Sequence, residues 1–423
     1  MPADNNQGTF RGDWSGRLLD LITGSVGDRS ARGIAAAVSR LITSGQLPTG
    51  TRLPTVRAVA QQLGISPTTI SEAWTSLTKA GMIQTRGRSG TFVLLPEGPR
   101  QRYSRLASPA GMLPLDLSTG IPDHELLPSL TRALRQIGQA PPATTSYLDE
   151  PVLPQLEALL RERWPYSPAQ LTIVDGALDA QDRITTALVR FGDHVLVESP
   201  TFPATLDLLE SAGAIAVPIP MDSSGPRPDA LSAALECAPV ALYLQPRAQN
   251  PTGASMTARR AREIAKVLKG TAVWAIEDDH AGDIATAPAV SIGSHLPDQT
   301  VRIHSFSKSH GPDLRLAAIG GPDSVLTTIT DRRLHGPGWS SRLLQAVLLH
   351  LLTDPASVKQ VSRARDEYAR RRETMLAALT KRGVRASAGD GINLWMRVDD
   401  QEAAVLNLAA HGIAVAPGTP FEV

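Results

Sequence analysis

At 423 residues the chain is longer than one hydrophobic core normally spans, so a lone small module is excluded and two or three domains are expected. Hydrophobic residues at 42% and charged residues at 20% exclude general disorder, and Cys237, the single cysteine, excludes an intrachain disulfide or a cysteine-rich zinc site. The net charge of +1 conceals an asymmetry: residues 1–110 hold thirteen Arg or Lys against six Asp or Glu, an excess of +7 that leaves −6 for the remainder. A basic front end on a mildly acidic body points to a nucleic-acid contact confined to one end. The apolar stretches, such as Leu343 to Leu352, fall well short of the roughly 18 residues that a membrane span needs. The Met-Pro-Ala-Asp start lacks the basic residues and apolar run of a secretion signal, so a cytoplasmic protein is expected.

Residues 1–28 read as a polar N-terminal extension, interrupted by an apolar patch from Trp14 to Ile22. Residues 29–94 carry the pattern of a winged helix-turn-helix. A helical period in Ile34, Val38, Leu41 and Ile42 is followed by a second in Val56, Val59, Ala60 and Leu63, with Gly64 as its stop. Ser66 can cap a third helix, with Ile70, Ala73, Trp74 and Leu77 on its inner face. Met82 to Val93 then reads as two short strands around a Gly-rich basic turn, a wing. Residues 95–114, rich in Pro, Gly, Ser and Arg, read as a linker.

From 115 to 423 apolar runs alternate with helical ones. Strands are expected at Leu171–Val174, His194–Glu198, Ile215–Ile219, Val240–Gln245, Ala272–Ile276, Thr300–Ser305 and Leu316–Ile319. Helices are expected at Thr257–Lys269 and Val358–Arg382. The fold class is therefore α/β, with a mostly parallel central sheet and a small C-terminal α/β subdomain. Chemistry in such sheets gathers at the carboxyl ends of the strands. Four groups stand there: Asn250-Pro251-Thr252-Gly253, Asp278-Asp279-His280, Ser305-Phe306-Ser307-Lys308 and, seven residues beyond the lysine, Arg315. An amine, a carboxylate, a cation and hydroxyls are what an aldehyde cofactor with a pyridine nitrogen and a phosphate requires, namely pyridoxal 5'-phosphate (PLP). Singly each group has an ordinary reading as a turn, a helix cap or a surface charge.

On these motifs, and on Leu117 to Asp123 and Gly192 to Pro203, residues 115–423 resemble the fold-type I PLP-dependent aminotransferases. Residues 30–95 resemble the GntR-type winged helix, and the fusion resembles the MocR subfamily of bacterial transcription regulators. The resemblance implies that Lys308 binds the aldehyde covalently, Asp278 pairs with the pyridine nitrogen and Asn250 bonds the ring oxygen. It gives Ser305, Ser307, Arg315 and the backbone of Gly176 and Ala177 to the phosphate. Phe202 would stack on the ring and Tyr147 would reach the phosphate of a neighbouring subunit, implying a homodimer; core packing accounts equally well for either aromatic.

The sequence departs from the family at several positions. His280 stands where tyrosine is common, as a donor to the ring oxygen, and Val152 and Ala248 replace a usual glycine and histidine. The C-terminal part looks truncated, because the chain stops at Val423 before the segment that places an arginine on the substrate carboxylate. In the winged helix, the resemblance puts Arg57 on the DNA backbone, Ser66, Thr68, Thr69 and Ser71 at the start of the recognition helix, and Arg86, Arg88 and Gly90 in the wing. Pro67 replaces a frequent arginine. The function implied is a PLP-dependent regulator that binds a double-stranded DNA operator and a small amino-compound effector, with no metal. The alternatives are an active aminotransferase with an accessory DNA-binding domain, and a DNA-binding protein on an inert scaffold.

Overall fold

The computed structural model describes residues 14–43, 46–79, 82–87, 90–94, 102–103, 113–139, 146, 150–386 and 389–423. They divide into two units, one drawn from the first hundred residues with Arg190–Gly192, the other from the rest.

The first unit holds α1 (Trp14–Gly24), α2 (Ala31–Thr43), α3 (Val56–Leu63), α4 (Pro67–Lys79), β1 (Ile83–Thr85) and β2 (Thr91–Val93). Residues 14–24, read from sequence as part of an extension, are instead a helix whose Leu18 and Ile22 enter the core. The apolar patch is amphipathic, and that period outweighs the polar setting. Thr55 opens α3 by accepting from Ala58 N at 3.2 Å, and Gly64, at φ +66°, closes it in the left-handed region. Ser66 Oγ accepts from Thr68 N at 3.2 Å and Pro67 takes the first helical position, so the turn into α4 is short and fixed. Ile70, Ala73, Trp74 and Leu77 then face Val59, Leu63, Ile34 and Val38 in one core. The wing pairs Ile83 with Val93 and Thr85 with Thr91 in antiparallel register.

The second unit opens with β3 (Leu115–Asp116), α5 (Thr131–Gly138) and α6 (Pro154–Arg163). It continues through β4 (Gln170–Val174), α7 (Ala177–Leu188), β5 (His194–Ser199), α8 (Pro203–Ser211), β6 (Ile215–Asp222), β7 (Gly225–Pro226), α9 (Pro228–Ala234) and β8 (Ala241–Leu244). Next come α10 (Ala258–Leu268), β9 (Trp274–Asp279), β10 (Thr300–Ser305), β11 (Ala317–Gly321), α11 (Asp323–Leu334) and α12 (Arg342–Thr353). The last elements are α13 (Pro355–Thr380), α14 (Gln401–Ala410) and β12 (Ile413–Ala414).

Strands β4 to β11 form one sheet in the order β4-β11-β10-β9-β8-β5-β6-β7. Its centre, β10-β9-β8-β5-β6, is parallel, while β11 runs antiparallel to both neighbours and β7 antiparallel to β6. Residues alternate between faces along each strand. Val195, Val197, Tyr243 and Ile276 pack in the core that holds Ile184 of α7 and Leu206 of α8, while Leu196, Leu242, Leu244 and Ala275 pack in the core that holds Ile264 of α10. Both faces are covered, which is why the strands read as continuous apolar runs. The parallel pair β3–β12 joins Leu115 to Ile413 beside α14, forming the small subdomain, and the 26-residue α13 leads into it. Among the described residues no helix is long and apolar enough to cross a membrane.

Candidate functional site

The sheet delivers the chemistry-bearing residues at strand ends. Alternation along β9 places Glu277 and Asp279 on one side and Asp278 on the other. The flanking carboxylates are neutralised. Arg302 donates to Glu277 at 3.1 Å and to Asp279 at 2.7 Å, and Arg247 forms a two-pronged pair with Asp279 at 2.8 Å. These cations hold the Asp279 carboxyl well below the usual range despite burial. Asp278 has no arginine partner. Its Oδ2 accepts from Gln181 Nε2 and Gln245 Nε2, each at 3.0 Å, while Oδ1 is buried without a hydrogen-bond partner. Burial pushes this carboxyl upward, and a cation meeting Oδ1 would favour its ionised form.

Lys308 follows β10 in the turn after Ser305, and its amine donates to Gly120 O. Burial lowers the ammonium to about 8, which leaves a sizeable fraction as free nucleophilic amine near neutral pH. Ser305 is buried and its Oγ accepts from Ser307 N at 3.4 Å; Ser307 is half-buried. α7 starts at Ala177 behind Gly176, at φ +102°, with no side chain capping its first turn. A methyl group on Gly176 would come within 3.4 Å of the Arg315 guanidinium. A cation therefore overhangs a helix N-terminus with open backbone amides, an arrangement suited to a phosphate.

Asn250 donates its backbone N–H to Gln245 Oε1 at 2.7 Å. His280 places Nε2 2.8 Å from Ala248 O; a carbonyl only accepts, so Nε2 carries the proton. Burial lowers this imidazole, and in its neutral form Nδ1 is left as an acceptor. Phe202 caps α8 and its ring meets the edge of Tyr103 at 5.3 Å. Tyr147 lies outside the described residues.

Sequence reading passed over Gln181, Gln245 and Glu198, all buried beside Asp278. Burial lifts Glu198 to about 8. The available signal was position: Gln245 directly follows β8, and Gln181 is on α7, five residues beyond Gly176.

In the first unit the start of α4 exposes Ser66, Thr68 and Ser71, with Thr69 half-buried, and Arg57 is exposed on α3. Arg86 follows β1, lies 5.5 Å from the centre of the Phe92 ring and donates to Gln84 Oε1 at 3.2 Å. Gly90, at φ +106°, meets the Arg52 side chain so closely that a Cβ would come within 2.7 Å of Nε. Arg52, unanticipated from sequence, bridges to Phe92 and joins this basic edge. Arg88 lies outside the described residues. Exposed hydroxyls at a helix start beside arginines of a wing form the combination that meets bases and phosphates of a duplex.

Known proteins carry the same two parts. Residues 30–93 match the bacterial regulatory proteins of the gntR family, and residues 114–423 match aminotransferase class I and II. The vitamin B6 salvage pathway transcriptional repressor PtsJ of Salmonella typhimurium is 34% identical over 402 residues, covering 93% of this chain and 92% of that protein. This chain belongs to the MocR-type transcriptional regulators. Another relative of this MocR-type regulator is the probable rhizopine catabolism regulatory protein MocR of Rhizobium meliloti, 25% identical across 86% of this chain and 78% of that protein. In fold, the regulator's second unit is similar to aspartate aminotransferase from Thermus thermophilus with maleate, at a TM-score of 0.66 and 24% identity over 73% of this chain and 84% of that one.

Proposed function

We propose that this regulator binds pyridoxal 5'-phosphate at Lys308 and that the cofactor, together with a small amino compound, adjusts its affinity for a DNA operator. The observation that carries the reading is the buried Asp278 Oδ1, an acceptor with no donor; a protonated pyridine nitrogen would supply one. The rest of the site fits the same group. Lys308 offers an amine lowered to about 8 for the aldehyde, Arg315 over Gly176 and Ala177, with Ser305 and Ser307, offers a phosphate cradle, and Asn250 stands at the ring-oxygen end. When bound, the cofactor contributes an aldehyde that exchanges one amine for another. Lys308 would hold the aldehyde, and a ligand that changed the charge of this half-buried amine would supply the differential free energy that a shift between two states requires.

Support also comes from PtsJ, whose described role lies in the vitamin B6 salvage pathway. The operator contact is assigned to Arg57, Ser66, Thr68, Thr69, Ser71, Arg86, Arg88 and Gly90, now with Arg52, and the acting form to a homodimer, which sedimentation tests directly. The decisive experiment combines borohydride reduction with peptide mass spectrometry and operator titration with and without PLP. A reduced adduct on Lys308, lost in Lys308→Ala, together with a PLP-dependent operator affinity, is expected. An adduct at another lysine, or none, overturns the cofactor assignment. Multiple turnovers of amino transfer would make the protein a working aminotransferase instead.

A further inference from the structure

We infer that Gln181 and Gln245 form a paired amide clamp that holds the Asp278 carboxylate, turning Oδ1 alone toward the ring nitrogen of the cofactor. The inference rests on the PLP reading and adds two positioning residues to it. Gln245 is the better determined of the two. Its Oε1 accepts from the backbone N–H of Asn250 at 2.7 Å, and a backbone N–H can only donate, so the amide cannot be flipped and Nε2 is the group 3.0 Å from Asp278 Oδ2. Gln181 reaches the same oxygen at 3.0 Å from α7, while its own Oε1 accepts from Thr205 Oγ1 at 2.9 Å. Both glutamines are almost fully buried.

Two consequences follow from both donors landing on one oxygen. The carboxylate cannot rotate without breaking two buried hydrogen bonds, which fixes where Oδ1 points. Two donors also favour the ionised form of a group that burial drives toward neutrality. Gln245 further ties the ends of the site together. Its side chain joins Asp278 to the backbone of Asn250, and its own N–H donates to Glu198 Oε2 at 3.0 Å. The residue facing the ring nitrogen and the residue facing the ring oxygen therefore move as one body.

The clamp acts on recognition of the nitrogen, which separates it from a merely structural role. Full-length Gln181→Leu and Gln245→Leu proteins are titrated with PLP and with its deaza analogue, in which C–H replaces the ring nitrogen. The wild type should prefer PLP. Gln181→Leu should lose about tenfold in PLP affinity, as expected for a lost hydrogen bond to a charged group, and less than about twofold for the analogue, while Gln245→Leu, which also releases the Asn250 N–H, should lose affinity for both ligands but more for PLP. Equal losses for both ligands, or no loss for PLP, overturn the clamp while leaving the cofactor reading intact. A wild type that binds neither overturns both. If a leucine variant does not fold, Thr205→Val, which removes only the hydroxyl bonded to Gln181, should narrow the same preference, and an unchanged preference there counts against the clamp.

Discussion

Glu198 shows how much this site asks of single side chains. It is wholly buried at the end of β5, with Oε2 accepting from Gln245 N and Oε1 without a partner, and burial lifts its carboxyl from the usual range to about 8. The folded protein therefore binds a proton that the unfolded chain has released between about pH 4.5 and 8. A group raised in this way costs nothing below pH 4.5, costs progressively more as pH rises, and reaches its full cost near pH 8. Glu198→Gln keeps the shape and removes the titration. It should leave stability unchanged near pH 4 and raise it by about 4 kcal/mol at pH 8. Urea unfolding at the two pH values checks this, and an equal difference at both would show that Glu198 does not carry the proton.

At the level of elements, the parts that were legible from sequence are those whose burial is two-sided. All seven expected strands of the sheet are present; six are runs such as Val195-Leu196-Val197, buried on both faces, while β6 buries only Ile219. The helix-turn-helix was legible for another reason. Gly64 and Ser66 are caps whose chemistry is local, so they mark ends without knowledge of the rest of the fold. Asp278 and Lys308 could be singled out as candidates because they stand at the carboxyl ends of neighbouring strands, and Arg315 because it follows the lysine by seven residues. Gln181 and Gln245 could not, since a neutral amide declares its role only through the partner it meets, and theirs is 97 and 33 residues away. Arg52 escaped for the same reason: its neighbour Gly90 is brought beside it by the pairing of Leu53 N with Thr91 O. That placement carries a prediction. Arg52→Ala and Arg86→Ala should each weaken operator binding and reduce the slope of log affinity against log salt by about 1, one phosphate being left unneutralised in each case. Anisotropy titrations across a salt series measure the slope, and an unchanged slope for Arg52→Ala removes it from the interface.

On the scale of the whole molecule, the chain carries two units with separate hydrophobic cores, one built around Ile34, Ile70 and Leu77 and the others around the sheet. A ligand that binds only the folded second unit stabilises that unit by mass action, about 2.7 kcal/mol at a hundredfold excess over its dissociation constant. If the units were indifferent to each other, PLP would raise one melting transition and an operator duplex the other. Regulation demands more than this. Should PLP change operator affinity by some factor, the operator must change PLP affinity by the same factor, because both are legs of one thermodynamic cycle. For a coupling of about 1–3 kcal/mol the factor lies between roughly fivefold and a hundred and fiftyfold. Operator binding measured with and without PLP, and PLP binding measured with and without operator, should therefore give one number twice. Arg86→Ala should weaken operator binding in both states yet leave that number nearly unchanged, as expected of a residue proposed to meet DNA and not the cofactor. Lys308→Ala should bring it toward one if, as proposed, the charge of this lysine separates the two states. A coupling factor that survives Lys308→Ala intact would place the switch in the phosphate cradle of Gly176 and Arg315 rather than at the amine.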